Sequence, residues 1–422
     1  MSKLLCGAAA LMLLAFTISG KSIGAEEDLS FSDIKAPEHG YWDRPLNDPF
    51  TRFKEQLEQG SIKLDYSSEK RFLTSLLKAL NISESTQMLV YSTTSLQLSL
   101  ISPKTPRAVY FNEDIYLGYV QGGRIEIVSI DPELGGIFYI FDIPRGGAKP
   151  VVDRSRRCMN CHSGEDTHEV PGVVIKSVIP GPKGGSLDSY RRGQSGHGIP
   201  FSERFGGWHV TGADNLQPHW GNLTGNFTPD GIVTTPLPPG EAFDWSVFPV
   251  ATSDILAHLL HEHQAGFVNR VIQAHYRIRT ALHNGRGKLP GNDRAIMAEQ
   301  ADMIARYLLF ADEAELPEGG IAGDSQLKED FLAVRKSNSE GDSLRDFDLE
   351  KGVFRNRCSY MIYTPVFQNL PEGFKKLIYN RLAKALAPGN GDPEFAYLLE
   401  DEKVRIRAIL AETLSDLPKG WQ

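Results

Sequence analysis

Cysteine is scarce in this 422-residue chain, at four positions, so a disulfide-built scaffold is excluded. There is no excess of positive charge: 45 Lys and Arg stand against 53 Asp and Glu, a formal charge of −8, which disfavours nucleic acid as a partner. No internal repeat, low-complexity tract or sustained heptad is present, which removes solenoids, disordered tails and coiled coils. Long apolar runs are also missing, with one exception at the start.

That exception runs from Leu4 to Ile18 behind Lys3. It is short for a membrane span and has the profile of a secretory signal peptide. The small residues at Gly24-Ala25 place the expected cleavage after Ala25, and the expected location is the periplasm, with no integral membrane span after cleavage. Cys6 falls within the leader, so the mature chain keeps Cys158, Cys161 and Cys358. That is an odd number in an oxidising compartment.

Two of these three belong to Cys158-Met159-Asn160-Cys161-His162, a CxxCH motif. The spacing has a chemical reason. Two thiols three positions apart can add across the two vinyl groups of one porphyrin, and the adjacent imidazole is then held under the iron. One covalently attached haem c is therefore expected, with His162 as proximal metal ligand. A zinc site would need two further ligands at comparable spacing, and no second CxxC, CxxH or HxxxH cluster lies nearby. A redox CxxC would open a helix after a strand in a thioredoxin-like unit, whereas Pro150-Val151-Val152-Asp153-Arg154 precedes this one and a Gly- and Pro-broken loop follows. Cys358, in an apolar and aromatic stretch, is expected to be a buried free thiol.

The remainder divides by pattern. Segment 26–150 opens with two amphipathic helices between Asp48 and Leu80, then changes from Gln87 to Ile143 to β-branched and aromatic runs broken by turns, an antiparallel sheet. Segment 151–245 is rich in glycine and proline, contains the haem motif, and offers VVIKSVI and GWHVTG as strands. Segment 246–422 is helical, with periodic stretches near 252–283, 293–311, 372–387 and 394–415. The fold class expected is α+β: a sheet in the N-terminal half, a loop-rich haem c segment, and a helical C-terminal half.

A run of motifs adds to this: LVYSTTSLQ (89–97), PRAVYFNEDIYLGYVQGG (106–123), the CMNCH site, VPGVVIKSVIP (170–180), PFSERFGGWHVTG (200–212), HWGN (219–222), EHQ (262–264), YLLFADEA (307–314), SLRDFDL (343–349) and CSYMIY (358–363). In these the chain resembles a family of exported bacterial proteins of about this length, described as cytochrome c domain-containing. The resemblance covers nearly the whole mature chain. It implies haem binding and electron transfer, with no assigned physiological reaction; a redox partner protein is expected.

The sixth iron ligand separates two function classes, because an electron carrier usually has two axial protein ligands and an enzyme keeps one position open. His219 ranks first: it sits in the loop Gln217-Pro218-His219-Trp220-Gly221-Asn222, where apolar patterning does not explain it, and it matches the family's H-x-G-N. His197, between Gly196 and Gly198, ranks second and also matches a family histidine. His263 lies on the apolar stripe of its helix, His258 and His261 fall on the polar face and are expected to be solvated, and Met303 and Met361 read as core filler. Arg154, Arg156 and Arg157 could pair with haem propionates, dock an acidic redox partner, or form a solvated loop; Trp208 and Trp220 fit haem packing or core packing equally. The function expected is an exported monohaem c-type cytochrome that transfers single electrons. The rival is a haem enzyme, of peroxidase or dehydrogenase-subunit type, with an open distal site.

Overall fold

The computed structural model describes residues 30–145, 148–189, 194–288, 291–389, 392–419 and 421; the leader expected at 1–25 lies outside the described residues. Asp48 caps α1 (Pro49–Gln59) by accepting from the backbone N–H of Thr51, and Gly60 ends it at φ 76°, a left-handed conformation that glycine adopts without strain. Ser68 caps α2 (Glu69–Ala79) by accepting from the N–H of Arg71. Each helix buries one stripe: Phe50, Phe53 and Leu57 on α1, and Phe72, Leu73, Leu76 and Leu77 on α2.

Those stripes cover one face of an antiparallel sheet. Its meander is β1 (Met88–Val90), β2 (Arg107–Phe111), β3 (Ile115–Tyr119), β4 (Arg124–Asp131), β5 (Gly135–Asp142) and β6 (Asp153–Arg154). The chain then makes the single turn α3 (Met159–His162), the hairpin of β7 (Val178–Pro180) with β8 (Ser186–Ser189), the short β9 (Trp208–His209), which joins the outer edge of β1, and the hairpin of β10 (Leu223–Thr228) with β11 (Gly231–Pro236). Through β6 and β9 the segment expected as 151–245 shares one seven-stranded sheet with the segment expected as 26–150.

Alternation divides the sheet's two faces. Ile125 and Ile127 of β4 join the core under α1 and α2, whereas Glu126 and Val128, which alternate with them, look the other way and are only half-buried. On that second face Met88, Val90, Val109, Phe111 and Tyr116 pack against the C-terminal helices. These are α4 (Ile255–Asn284), α5 (Gly291–Leu308), α6 (Ser325–Ala333), α7 (Pro365–Gln368), α8 (Glu372–Ala385) and α9 (Glu400–Thr413). The architecture is α+β, as the pattern predicts.

Helix α4 is the spine of the second core and, but for the half-buried Arg270, is buried from Ile255 to Tyr276. This corrects the expectation for His258 and His261, which are each 4 % exposed rather than solvated. The polar face of α4 is covered by the sheet and the β9 loop: His261 packs against Phe111 and Tyr116, and His258 against Phe205 and Trp208. Among the described residues no helix is long and apolar enough to cross a membrane.

Candidate haem site

The CxxCH motif is brought to the sheet by β6. Tyr139 pairs with Arg154 and Ile140 with Asp153, the N–H of Ser155 donates to the carbonyl of Phe138, and the chain then turns into α3. One helical turn is enough. The N–H groups of Cys161 and His162 donate to the carbonyl of Cys158 at 3.1 and 3.0 Å, so the two cysteines stand three positions apart on one side of the turn. Both are free; Cys161 is exposed, and Cys158 and His162 are half-buried.

His162 is held from its Nδ1 edge. Its Nδ1–H donates to the carbonyl of Gly172 at 2.9 Å, and the N–H of Gly172 returns a bond to the carbonyl of His162 at 2.9 Å. The ring lies 4.7 Å from that of Phe138. Burial lowers its pKa to about 4, against the effect of the Gly172 carbonyl, so at neutral pH the imidazole is uncharged. With the proton placed on Nδ1, the lone pair is on Nε2, the tautomer that ligates a metal from Nε2. Burial pushes the Cys158 thiol up, while a hydrogen bond from Ser155 works in the opposite direction.

The carbonyl that orients His162 is itself fixed by α4. Asn269, fully buried, accepts from the N–H of Val173 at 2.8 Å and donates to its carbonyl at 2.9 Å. A side chain at Gly172 would collide with the Asn269 amide, so this approach of loop to helix requires glycine. Asn269 and Gly172 are site residues that sequence reasoning missed; the available signal was a polar Asn inside the apolar FVNRV run of a long helix.

Arg107 and Glu126 were missed as well. Their side chains form an ion pair at 2.8 Å, 21 and 16 % exposed, and Ser95 donates to the other carboxylate oxygen at 2.7 Å. This pair supplies charges that act on both His162 and Cys158, with Lys176 a further one at His162.

The two histidines expected to ligate the iron, His219 and His197, each have neighbours of their own. His197 is 5 % exposed; its Nδ1 is 2.8 Å from Nδ1 of His263, whose Nε2 is 2.7 Å from the Ser359 hydroxyl, and its ring stacks on Tyr307 at 4.1 Å. Arg204 braces this pair by donating to the carbonyls of His197 and Ile199 and by pairing with Glu262 at 3.1 Å. The SGHG, SERF, EHQ and CSYMIY segments therefore converge in the helical core. His219 is half-buried, edge-on to Phe205 at 5.8 Å, and lines a separate open hollow of about 300 Å³ with Val210, Ala213 and Gln217. Among the described residues no hydrogen bond or ring contact joins His197 or His219 to the CxxCH turn.

Of the arginines before the motif, Arg154 donates to the Tyr41 carbonyl and lies over the Tyr41 and Trp42 rings, and Arg156 also lies over Trp42; Arg156 and Arg157 are both exposed. Trp208 is core, its indole N–H donating to the Lys176 carbonyl, and Trp220 donates to the Ser202 carbonyl. Cys358 is fully buried and free. Compared with protein-family models, curated proteins and solved structures, the chain matches none of them.

Proposed function

We propose that the protein is an exported monohaem c-type cytochrome that binds haem c covalently through Cys158 and Cys161, with His162 as axial ligand, and passes single electrons to a redox partner protein in the periplasm. The observation that carries this reading is the state of His162. It is uncharged, tied down through Nδ1, and free at Nε2, one position from a pair of free thiols on the same turn. Bound haem supplies one-electron exchange at iron. The chain's own part is to orient the imidazole through Gly172 and Asn269 and to shield it with Phe138.

A second reading, a haem enzyme with an exchangeable sixth position, is favoured by one observation: His197 is committed to His263, and His219 faces its own hollow. The test of the first reading is mass spectrometry of the chain expressed for export beside a c-type cytochrome maturation system. One haem should be added, with a mature N-terminus after Ala25, and Cys158→Ser with Cys161→Ser should abolish attachment. Haem that leaves on acid-acetone extraction refutes it. His219→Ala and His197→Ala separate the readings: an unchanged ferric spectrum in both supports an exchangeable site, and a low-spin to high-spin change in either supports a six-coordinate carrier.

A further inference from the structure

We infer that Arg156, stacked on Trp42, and Arg157 beside it form a cationic docking surface for the carboxylates of an acidic redox protein, set next to the exposed side of the CxxCH turn. The inference rests on the haem attachment proposed above and names the kind of partner that exchanges the electron.

Charge here runs against the sign of the whole chain. The chain carries −8, yet from Arg145 to Cys161 five Lys and Arg stand against one acid, Asp153. Arg145, Lys149, Arg156 and Arg157 are all exposed. The carboxylates around this stretch are already engaged. Glu58, which accepts from the N–H of Val152, pairs with Lys54 at 3.3 Å; Asp142, which lines a hollow with Arg157, pairs with Arg124 at 2.9 Å; Asp166 pairs with Lys176. Among the described residues the side chains of Arg156 and Arg157 make no hydrogen bond or ion pair.

The two arginines are tied to the motif by its backbone. The N–H of Met159 donates to the carbonyl of Arg156 and that of Asn160 to the carbonyl of Arg157, each at 3.3 Å. They therefore belong to the same wound segment as Cys158 and Cys161, whose outer side is Asn160 and Cys161, both exposed. A partner drawn to these cations meets the attachment turn itself.

Stacking separates a built surface from a merely solvated loop. Arg154 is half-buried over Tyr41 and Trp42 at 4.8 and 4.7 Å and donates to the Tyr41 carbonyl at 2.7 Å, so it is committed to the fold. Arg156 lies over Trp42 at 4.3 Å and keeps its exposure. A guanidinium held by its face keeps the N–H fork at its edge, the part that takes a carboxylate in bidentate fashion. Its side chain has already lost freedom that a solvated arginine would give up on docking, so binding costs less. Electrostatic steering then brings an acidic partner to this face rather than to the acidic remainder of the molecule.

The experiment is stopped-flow oxidation of the ferrous, haem-loaded protein by hexacyanoferrate(III), an anion, with tris(phenanthroline)cobalt(III), a cation, as control. One electron leaves the haem iron, and hexacyanoferrate(III) becomes hexacyanoferrate(II). In wild type the hexacyanoferrate rate should fall as salt is raised from about 10 to about 300 mM, and the cobalt rate should rise, the opposite of what the net charge alone would produce. Arg156→Gln with Arg157→Gln should lower the low-salt hexacyanoferrate rate by about threefold or more and flatten its salt dependence. Poly-L-glutamate should slow the wild-type reaction at low salt. Trp42→Leu, which keeps both charges and removes the stack, should weaken that competition by about threefold with the salt dependence retained. A wild-type hexacyanoferrate rate that rises with salt, an unchanged slope in the double variant, or no competition by poly-L-glutamate overturns the inference. Equal competition in wild type and Trp42→Leu overturns the part given to the stack. A shifted midpoint potential in the double variant with an unchanged slope would assign the arginines to the haem propionates and overturn it as well. Haem content is measured in each variant; failure to attach haem at all would instead overturn the reading of the preceding subsection.

Discussion

Replacing Asn269 by alanine tests whether α4 sets the His162 imidazole, the proposed axial ligand. The side chain is fully buried and makes two hydrogen bonds to Val173, at 2.8 and 2.9 Å. Truncation leaves the Val173 N–H and C=O unpaired away from water, at about 1–3 kcal/mol each, so the loss should be about 2–6 kcal/mol. Gly172→Ala should cost a comparable amount for a different reason, since its methyl would meet the Asn269 amide. In the double variant the methyl enters the space that the amide has left. The two costs should therefore not add, and the shortfall should be about 1–3 kcal/mol. Urea unfolding of the haem-loaded protein at neutral pH, followed by circular dichroism, measures all four corners; a lower midpoint with unchanged m identifies a loss of stability. A loss below about 0.5 kcal/mol for Asn269→Ala, or strict additivity, would refute the clamp.

Two further outcomes are expected. Burial, reinforced at His39 and His275 by the charge of Arg279, lowers His39, His258 and His275 each to about 4, so the native state binds fewer protons than the unfolded chain between there and about pH 6.5; the stability this contributes is complete above about pH 6.5 and lost as pH falls through 4, at about 3 kcal/mol per group. Glu313 acts in the opposite sense, because burial raises it to about 7 and its contribution is lost as pH rises through that value; urea midpoints should thus fall steeply below pH 6, and a flat profile from pH 7.5 to 4.5 contradicts the assignment. Cys358, fully buried with its thiol pushed up by burial, should be silent to a thiol reagent in the native protein and react as a single equivalent after denaturation. Rapid native labelling, or a disulfide between chains, would show that the side chain reaches solvent.

How much of the fold the chain announces locally can be read from particular elements. The caps at Asp48 and Ser68 and the stripes behind them are local, and α1 and α2 follow. The turn-punctuated runs from 107 to 142 become β2 to β5 because each is long enough to alternate. VVIKSVI is a strand only from Val178, because Val173 before it bonds to a side chain of α4 rather than to a neighbouring strand. The β10–β11 hairpin and α6 escape a pattern reading: most of the hairpin is solvated, so little apolar alternation marks it, and α6 is a short helix that buries only Leu327 and Phe331.

The proposed haem attachment is likewise read from a local property. Two thiols and an imidazole within five adjacent residues are placed together by one turn of helix, whatever surrounds them. What holds that imidazole is decided by residues far apart in the chain. Arg107 reaches Glu126 only because β3 presents Gly118 between them, and the Gly172 carbonyl meets His162 Nδ1 because Asn269 anchors the peptide that carries it. His197 and His219 look equivalent as loop histidines, yet one is drawn into the core by His263 and Arg204 and the other is left beside an open hollow. Sequence neighbours share a fate through backbone geometry, so the CxxCH motif is legible by itself. The destination of a loop side chain depends on which distant surface needs covering, and that is settled only when the sheet and helices pack.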